Sequence, residues 1–299
     1  MKSTETIVKR IDHIMIKVVE AEYNRLFALF TETLQLPVAW EVNEDAPGFK
    51  TGGVFAGTIN MEIFQSGTQQ ILPDAATRQA QLYGVAFEPY DLEAIVQEVD
   101  RRGIPHLPLM PVPEGFPVGT MGSMWTLLFF NDLLNNDLTR YGEVMKSSRD
   151  LTPFFNDLFQ RGMIFLCEYN KQFYDTTQGR LRRRAEFVEA RQGGPLGLLG
   201  VQEIVVGARD IAAARASWQR LFDPLAEVEE GRWEVGDGPA IRLVSHDQDE
   251  LVRLVWKVVS LERAAVFLRE QDLLGGSTAG QIMFDRAKLG GLDIQLVEL

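Results

Sequence analysis

Residues 10–18 read RIDHIMIKV and residues 57–65 read GTINMEIFQ. Each is an apolar stretch of strand character with one metal-capable side chain near its middle, His13 in the first and Glu62 in the second. Side chains leave a strand on alternate faces. In the first stretch Ile14, Ile16 and Val18 share a face, and His13, Met15 and Lys17 share the other. In the second, Ile59, Met61 and Ile63 oppose Asn60, Glu62 and Phe64. The aliphatic faces suit packing beneath a helix, which leaves His13 and Glu62 to line a concavity. Imidazole and carboxylate together suit Zn²⁺, Mn²⁺, Fe²⁺, Co²⁺ or Ni²⁺ and tell them apart poorly. Histidine is scarce, with 3 in the chain (His13, His106 and His246), so any histidine-based chemistry must use one of them.

These stretches sit in a repeating pattern. After IDHIMIKV comes a segment with Leu26, Phe27, Phe30 and Leu34 at helical spacing, then three strand-like pieces (VAWEV, GGVFAG, INMEIFQ) separated by turn residues. The order returns at 200–245, where GVQEIVVGA precedes RDIAAARASWQRLFDPL, RWEVG and AIRLVSH. A third copy opens with YGVAFEPYDLEAIVQEVDRRGIP at 83–105, whose Leu92, Ile95, Val96 and Val99 mark one helix face. Its later strands are WTLLFFND and MIFLCEYN. A fourth opens with VRLVWKVVSLERAAVFLREQDLL at 252–274 and closes with LDIQLVEL. The reading is four βαβββ modules in two pairs. The first pair covers 1–170 (modules 8–66 and 82–170), a polar, arginine-rich linker covers 171–198, and the second pair covers 199–299. The second module carries an insertion near 132–160, containing DLTPFFNDLF, expected as a short helix lying over the domain like a lid.

Four βαβββ modules with DHIMIKV opening the first resemble the vicinal oxygen chelate superfamily, which includes glyoxalases, bleomycin-resistance proteins and extradiol dioxygenases. The resemblance is most specific at RIDHIMIKV, GTINMEIFQ and VAFEPYDLEAIVQEVDRRGI. It implies an α+β fold in which paired modules form incomplete barrels, two in all, around a divalent metal, with ligands from the first and last strands of each module. His13 and Glu62 match the first-module ligands, and Glu168 lies near the position of a second-module carboxylate. Gly84 stands where the second module would offer a histidine, so Glu88, on its face, or a water would complete the shell. The second pair has Glu203, Arg242, Arg253 and Gln295 at the corresponding positions, which reads as non-catalytic, with Glu203 and Arg242 expected to pair. The implied chemistry is that of a glyoxalase-like lyase or isomerase: a divalent ion stabilises a developing oxyanion on a small oxygenated substrate while Glu168 or Glu88 moves a proton. Two alternatives stand beside it, an extradiol-type ring-cleaving dioxygenase and a metal-free binding protein that sequesters a small molecule.

Composition narrows the partners. A formal net charge of −12 argues against nucleic acid and anionic membranes, both of which select clustered positive charge. The GRLRRR run at 179–184 reads as the solvated face of a linker helix. One cysteine, Cys167, excludes an intramolecular disulfide and a cysteine-rich zinc site, and it reads as a buried thiol. The first residues lack an apolar signal core, and no run approaches a membrane span, which fits a cytoplasmic protein. Four modules in one chain suit a monomer or a homodimer. His106 in a proline-rich loop and His246 in SHDQDE read as surface, and Trp125, Phe129 and Phe130 as core.

Overall fold

The structure, a computed structural model, describes residues 6–46, 49–67, 78–113, 123–146, 152–170, 179, 182 and 185–299. Its elements follow the repeat. The first module is β1 (Val8–Val18), α1 (Glu20–Ala28), β2 (Val38–Ala46), β3 (Phe49–Ala56) and β4 (Ile59–Ser66). The second is β5 (Ala80–Pro89), α2 (Leu92–Arg101), β6 (Met110–Pro113), β7 (Ser123–Phe129) and β8 (Met163–Tyr169), with a one-turn helix α3 (Tyr141–Val144) between its last two strands. The third is β9 (Leu198–Ala208), α4 (Ile211–Phe222), β10 (Arg232–Glu234) and β11 (Ala240–Ser245). The fourth is β12 (Glu250–Val258), α5 (Leu261–Glu270), β13 (Leu274–Thr278), β14 (Gln281–Phe284) and β15 (Ile294–Glu298). The fold is α+β, with two curled mixed sheets ordered β2-β3-β4-β1-β5-β8-β7-β6 and β10-β11-β9-β12-β15-β14-β13.

The third module is one strand short. Where a first post-helix strand would run, the acidic stretch 227–230 makes a turn closed by an isolated Glu229–Arg232 bridge. The side chains of Glu227, Glu229 and Glu230 each pair with an arginine.

Local signals set the helices. Asp91, Asp210 and Ser260 cap α2, α4 and α5 by accepting from Ala94, Ala213 and Arg263 N–H. Leu92, Ile95 and Val99 are buried on one face of α2, as their spacing predicts. The helical spacing of 26–34 is met by two geometries, because α1 passes at Leu29 into a π-helical turn, Leu29–Thr33.

By contact density the chain forms two compact units. One comprises Met1–His13, Tyr83–Asp175 and Val205–Leu251, and the other Ile14–Leu82, Thr176–Ile204 and Val252–Leu299. In the first, Phe87 meets Trp218 and Phe222 of α4, and Arg102 donates to the carbonyls of Arg220 at 2.9 Å and Asp223 at 2.6 Å. In the second, Phe30 meets Trp256, which meets Phe284. Gly57 (φ +69°) lies so close to Gly200 that a Cβ would strike its backbone.

The later part of the insertion packs into the core. Its π-helical turn, Phe154–Leu158, buries Phe154, Phe155 and Leu158. Phe154 and Phe159 each put their ring within about 5 Å of Phe129, centroid to centroid, at 5.3 and 5.1 Å. The GRLRRR run falls outside the described residues except for Gly179 and Arg182. No helix among the described residues is long and apolar enough to cross a membrane.

Candidate metal centre

His13 sits in β1 with only 6% of its surface exposed. Its Nδ1 lies 2.7 Å from Oδ2 of Asp12, a carboxylate whose side chain is 1% exposed. The same Oδ2 accepts the Tyr169 hydroxyl at 2.8 Å. The His13 ring meets Phe165 edge-on at 5.8 Å. Phe165 stands opposite Ala86 in the parallel β5–β8 pairing, so His13 adjoins the face that Ala86 and Phe165 share. Glu88 has the parity of Ala86 and belongs to that face, with Oε1 2.7 Å from Lys9 Nζ and Oε2 2.6 Å from Arg10 Nε.

Glu168 emerges on the other face. Its Oε1 accepts the Leu92 N–H at 3.1 Å, at the first turn of α2. The fourth module repeats this contact: Glu298 Oε2 accepts the Leu261 N–H at 2.9 Å at the first turn of α5. In both places a carboxylate meets the positive end of a helix. The repeat thus aligns Glu168 with Glu298, and Phe165 with Gln295, an alignment the sequence reading did not reach.

Glu62, in the other compact unit, is half-buried on β4, and Thr51 Oγ1 donates to its Oε1 at 2.7 Å. Opposite Glu62 in the ladder is Gly53, where a Cβ would run into the Trp40 ring. A Cβ at the next residue, Gly52, would meet Phe27 and Tyr23 of α1. Glu62 therefore lies on the face away from its helix, as the alternation predicts. The Tyr23 hydroxyl is buried without a partner, and burial, then the charges of Glu62 and Glu44, push its ionisation well above the usual phenol range.

In the second pair, Arg242 bonds Glu229 at 3.1 Å. Arg253 donates to both oxygens of Asp293 at 2.9 and 3.0 Å and to Gln295 at 3.1 Å, and Gln295 donates to Gln281 at 2.6 Å. Of the positions where the resemblance implies ligands, Arg242, Arg253 and Gln295 are thus engaged with neighbouring side chains. His106 is half-buried between Asp100 and the Leu107 carbonyl, His246 bonds the Gln248 backbone, and Cys167 is a buried free thiol.

The donor chemistry of His13 fits a divalent ion, since metal-binding imidazoles commonly give their other N–H to a carboxylate. Among the described residues, no three or more His, Cys, Asp or Glu side chains are grouped to hold one.

No protein-family model matches the chain, and no curated protein matches it in sequence. Solved structures do match in fold. A variant of 4-hydroxymandelate synthase from Streptomyces coelicolor superposes with a TM-score of 0.60 at 10% identity, over 98% of this chain and 93% of that one. The 2,3-dioxygenase LapB from Pseudomonas sp. KL28 gives 0.56 at 13% identity, over 98% and 93%. The Mn(II)-bound glyoxalase from Novosphingobium aromaticivorans gives 0.54 at 10% identity, over 98% and 83%. A likeness at such identities is one of architecture: the chain shares the modular two-sheet fold of these structures.

Proposed function

We propose that the protein is a divalent-metal-dependent enzyme of the glyoxalase kind, a lyase or isomerase acting on a small oxygenated organic molecule. One observation carries the reading: His13 is buried in an apolar strand with its Nδ1 on a buried carboxylate, beside the face that carries Glu88. Burying an imidazole and a carboxylate together costs folding free energy unless they are paired, and the pairing also fixes the ring. When bound, a divalent ion polarises a substrate oxygen as a Lewis acid.

The chain's own residues supply the rest. His13 offers a ring nitrogen whose direction is set by the Asp12 contact. Glu88 is the carboxylate this reading assigns to proton transfer, because it shares the Ala86 and Phe165 face and is oriented by Lys9 and Arg10. Glu168 holds the start of α2. Phe165, itself packed on Phe129 at 5.1 Å, lies edge-on against the His13 ring.

Elemental analysis of untagged protein tests the proposal, with His13→Ala beside wild type. Near-stoichiometric metal in wild type, lost in His13→Ala, is the expected result. No bound metal, and no uptake of added Zn²⁺, Mn²⁺, Ni²⁺ or anaerobic Fe²⁺, overturns it.

A further inference from the structure

We infer that Asp12, supported by Tyr169, is a positioning residue that locks His13 in its Nδ1–H tautomer and so makes Nε2 the nitrogen that acts. The inference deepens the metal reading and rests on it only for the use to which Nε2 is put.

An ionised carboxylate accepts hydrogen bonds and donates none. Oδ2 of Asp12 takes the Tyr169 O–H at 2.8 Å and lies 2.7 Å from His13 Nδ1. At that separation one proton lies between the two atoms, and with Oδ2 already accepting the Tyr169 O–H we place it on Nδ1. The neutral ring therefore presents Nε2 as its acceptor.

Three features mark this as more than a salt bridge of convenience. The Asp12 side chain is 1% exposed, where a carboxylate persists only if its hydrogen bonds are made. A regular strand sends residues 12 and 13 to opposite faces, yet here the two side chains are joined. Tyr169 is also held from behind: it stands opposite Trp125 in the β7–β8 ladder, and their rings meet edge-on at 6.5 Å. A hydroxyl, a carboxylate and an imidazole thus form a chain running from β8 to β1, and only its last member carries the metal chemistry.

Long-range ¹H–¹⁵N correlation of the histidine rings in metal-free protein reads the tautomer directly, and Zn²⁺ titration reads its consequence. In wild type His13 shows the Nδ1–H pattern. Asp12→Ala shifts it toward the Nε2–H form and weakens Zn²⁺ binding by roughly 10–100-fold. Tyr169→Phe keeps the ring against Trp125, guards against an Asp12 variant that fails to fold, and produces a smaller change of the same sign in both readouts. A wild-type His13 in the Nε2–H form overturns the inference. So does a folded Asp12→Ala with unchanged tautomer and affinity, even where Zn²⁺ binds and His13→Ala abolishes it; the metal reading then stands alone. If the tautomer responds as expected while wild type takes up no metal, the positioning role stands and the metal reading falls.

Discussion

Tyr23 shows how a single side chain can be costly where it sits. Its hydroxyl is buried without a partner on α1, and the charges of Glu62 and Glu44 add to burial in opposing its ionisation. Tyr23→Phe removes an unsatisfied group and leaves the stacking on Phe27 in place, so the unfolding midpoint in urea stays level or rises, by up to about 1 kcal/mol. The effect of pH has a definite sign. The folded chain keeps Tyr23 and the buried Tyr83 protonated, whereas the unfolded chain ionises both near pH 10. Their protonated burial stabilises fully below that pH and is lost as pH rises beyond it. Each Phe variant blunts the alkaline fall in stability, which a series of melts from pH 8 to 11 measures. At this scale the sequence was partly legible. Face alternation placed His13 and Glu62, because period two follows from the backbone alone. Asp12 was missed because parity assigns it to the opposite face from His13, and nothing in a sequence announces that two neighbouring strand residues will bond.

The carboxylates that end β8 and β15 belong to their elements more than to themselves. Glu168 and Glu298 each accept the first backbone N–H of a helix that begins three residues after the paired strand ends. Replacing either by alanine costs about 0.5–1.5 kcal/mol, and the double variant is additive within about 0.5 kcal/mol, since the two lie in different compact units. A double-mutant cycle by denaturant unfolding checks this. On α2, Arg101 and Arg102 hold the Glu98 carboxyl down to about 2. A depressed carboxyl stabilises above its unfolded value and loses that contribution as pH falls, so Glu98→Gln lowers stability at pH 7 by about 0.5–1 kcal/mol. That gap closes between about pH 5 and pH 2. The α2 face was readable because Leu92, Ile95 and Val99 recur at helical spacing, whereas the capping side chains Asp91, Asp210 and Ser260 emerged only from the structure. The π-helical turns were not, since their wider spacing looks like an ordinary helix in a short window. The insertion's phenylalanines were visible, but only the ring contacts with Phe129 show that they fill core.

Across the whole chain, the repeat was the most legible feature and the missing strand the least. Four strand–helix openings survive in the sequence because each must bury the same kind of helix face. The third module's loss of a strand is hidden among glutamates that look like any polar turn. Close backbone packing is equally silent: Gly57 reads as a residue between two strand pieces, while the structure sets it against Gly200 at positive φ. Gly57→Ala brings a left-handed penalty of about 1–2 kcal/mol together with a backbone clash, and a thermal melt registers the sum as a clear loss.

The tryptophans give this architecture an optical consequence. Trp218, Trp233 and Trp256 are all buried, and two of them, Trp218 and Trp256, hold their indole N–H groups away from any acceptor. Trp233 donates instead to Gln219 at 2.9 Å. Trp218 and Trp233 belong to one compact unit and Trp256 to the other. An indole shielded from solvent dipoles emits toward the blue, so native fluorescence is blue-shifted and reddens on unfolding. Trp256→Phe subtracts the buried emitter of one unit from that spectrum. The colour difference between the two proteins therefore follows one half of the molecule with no added label.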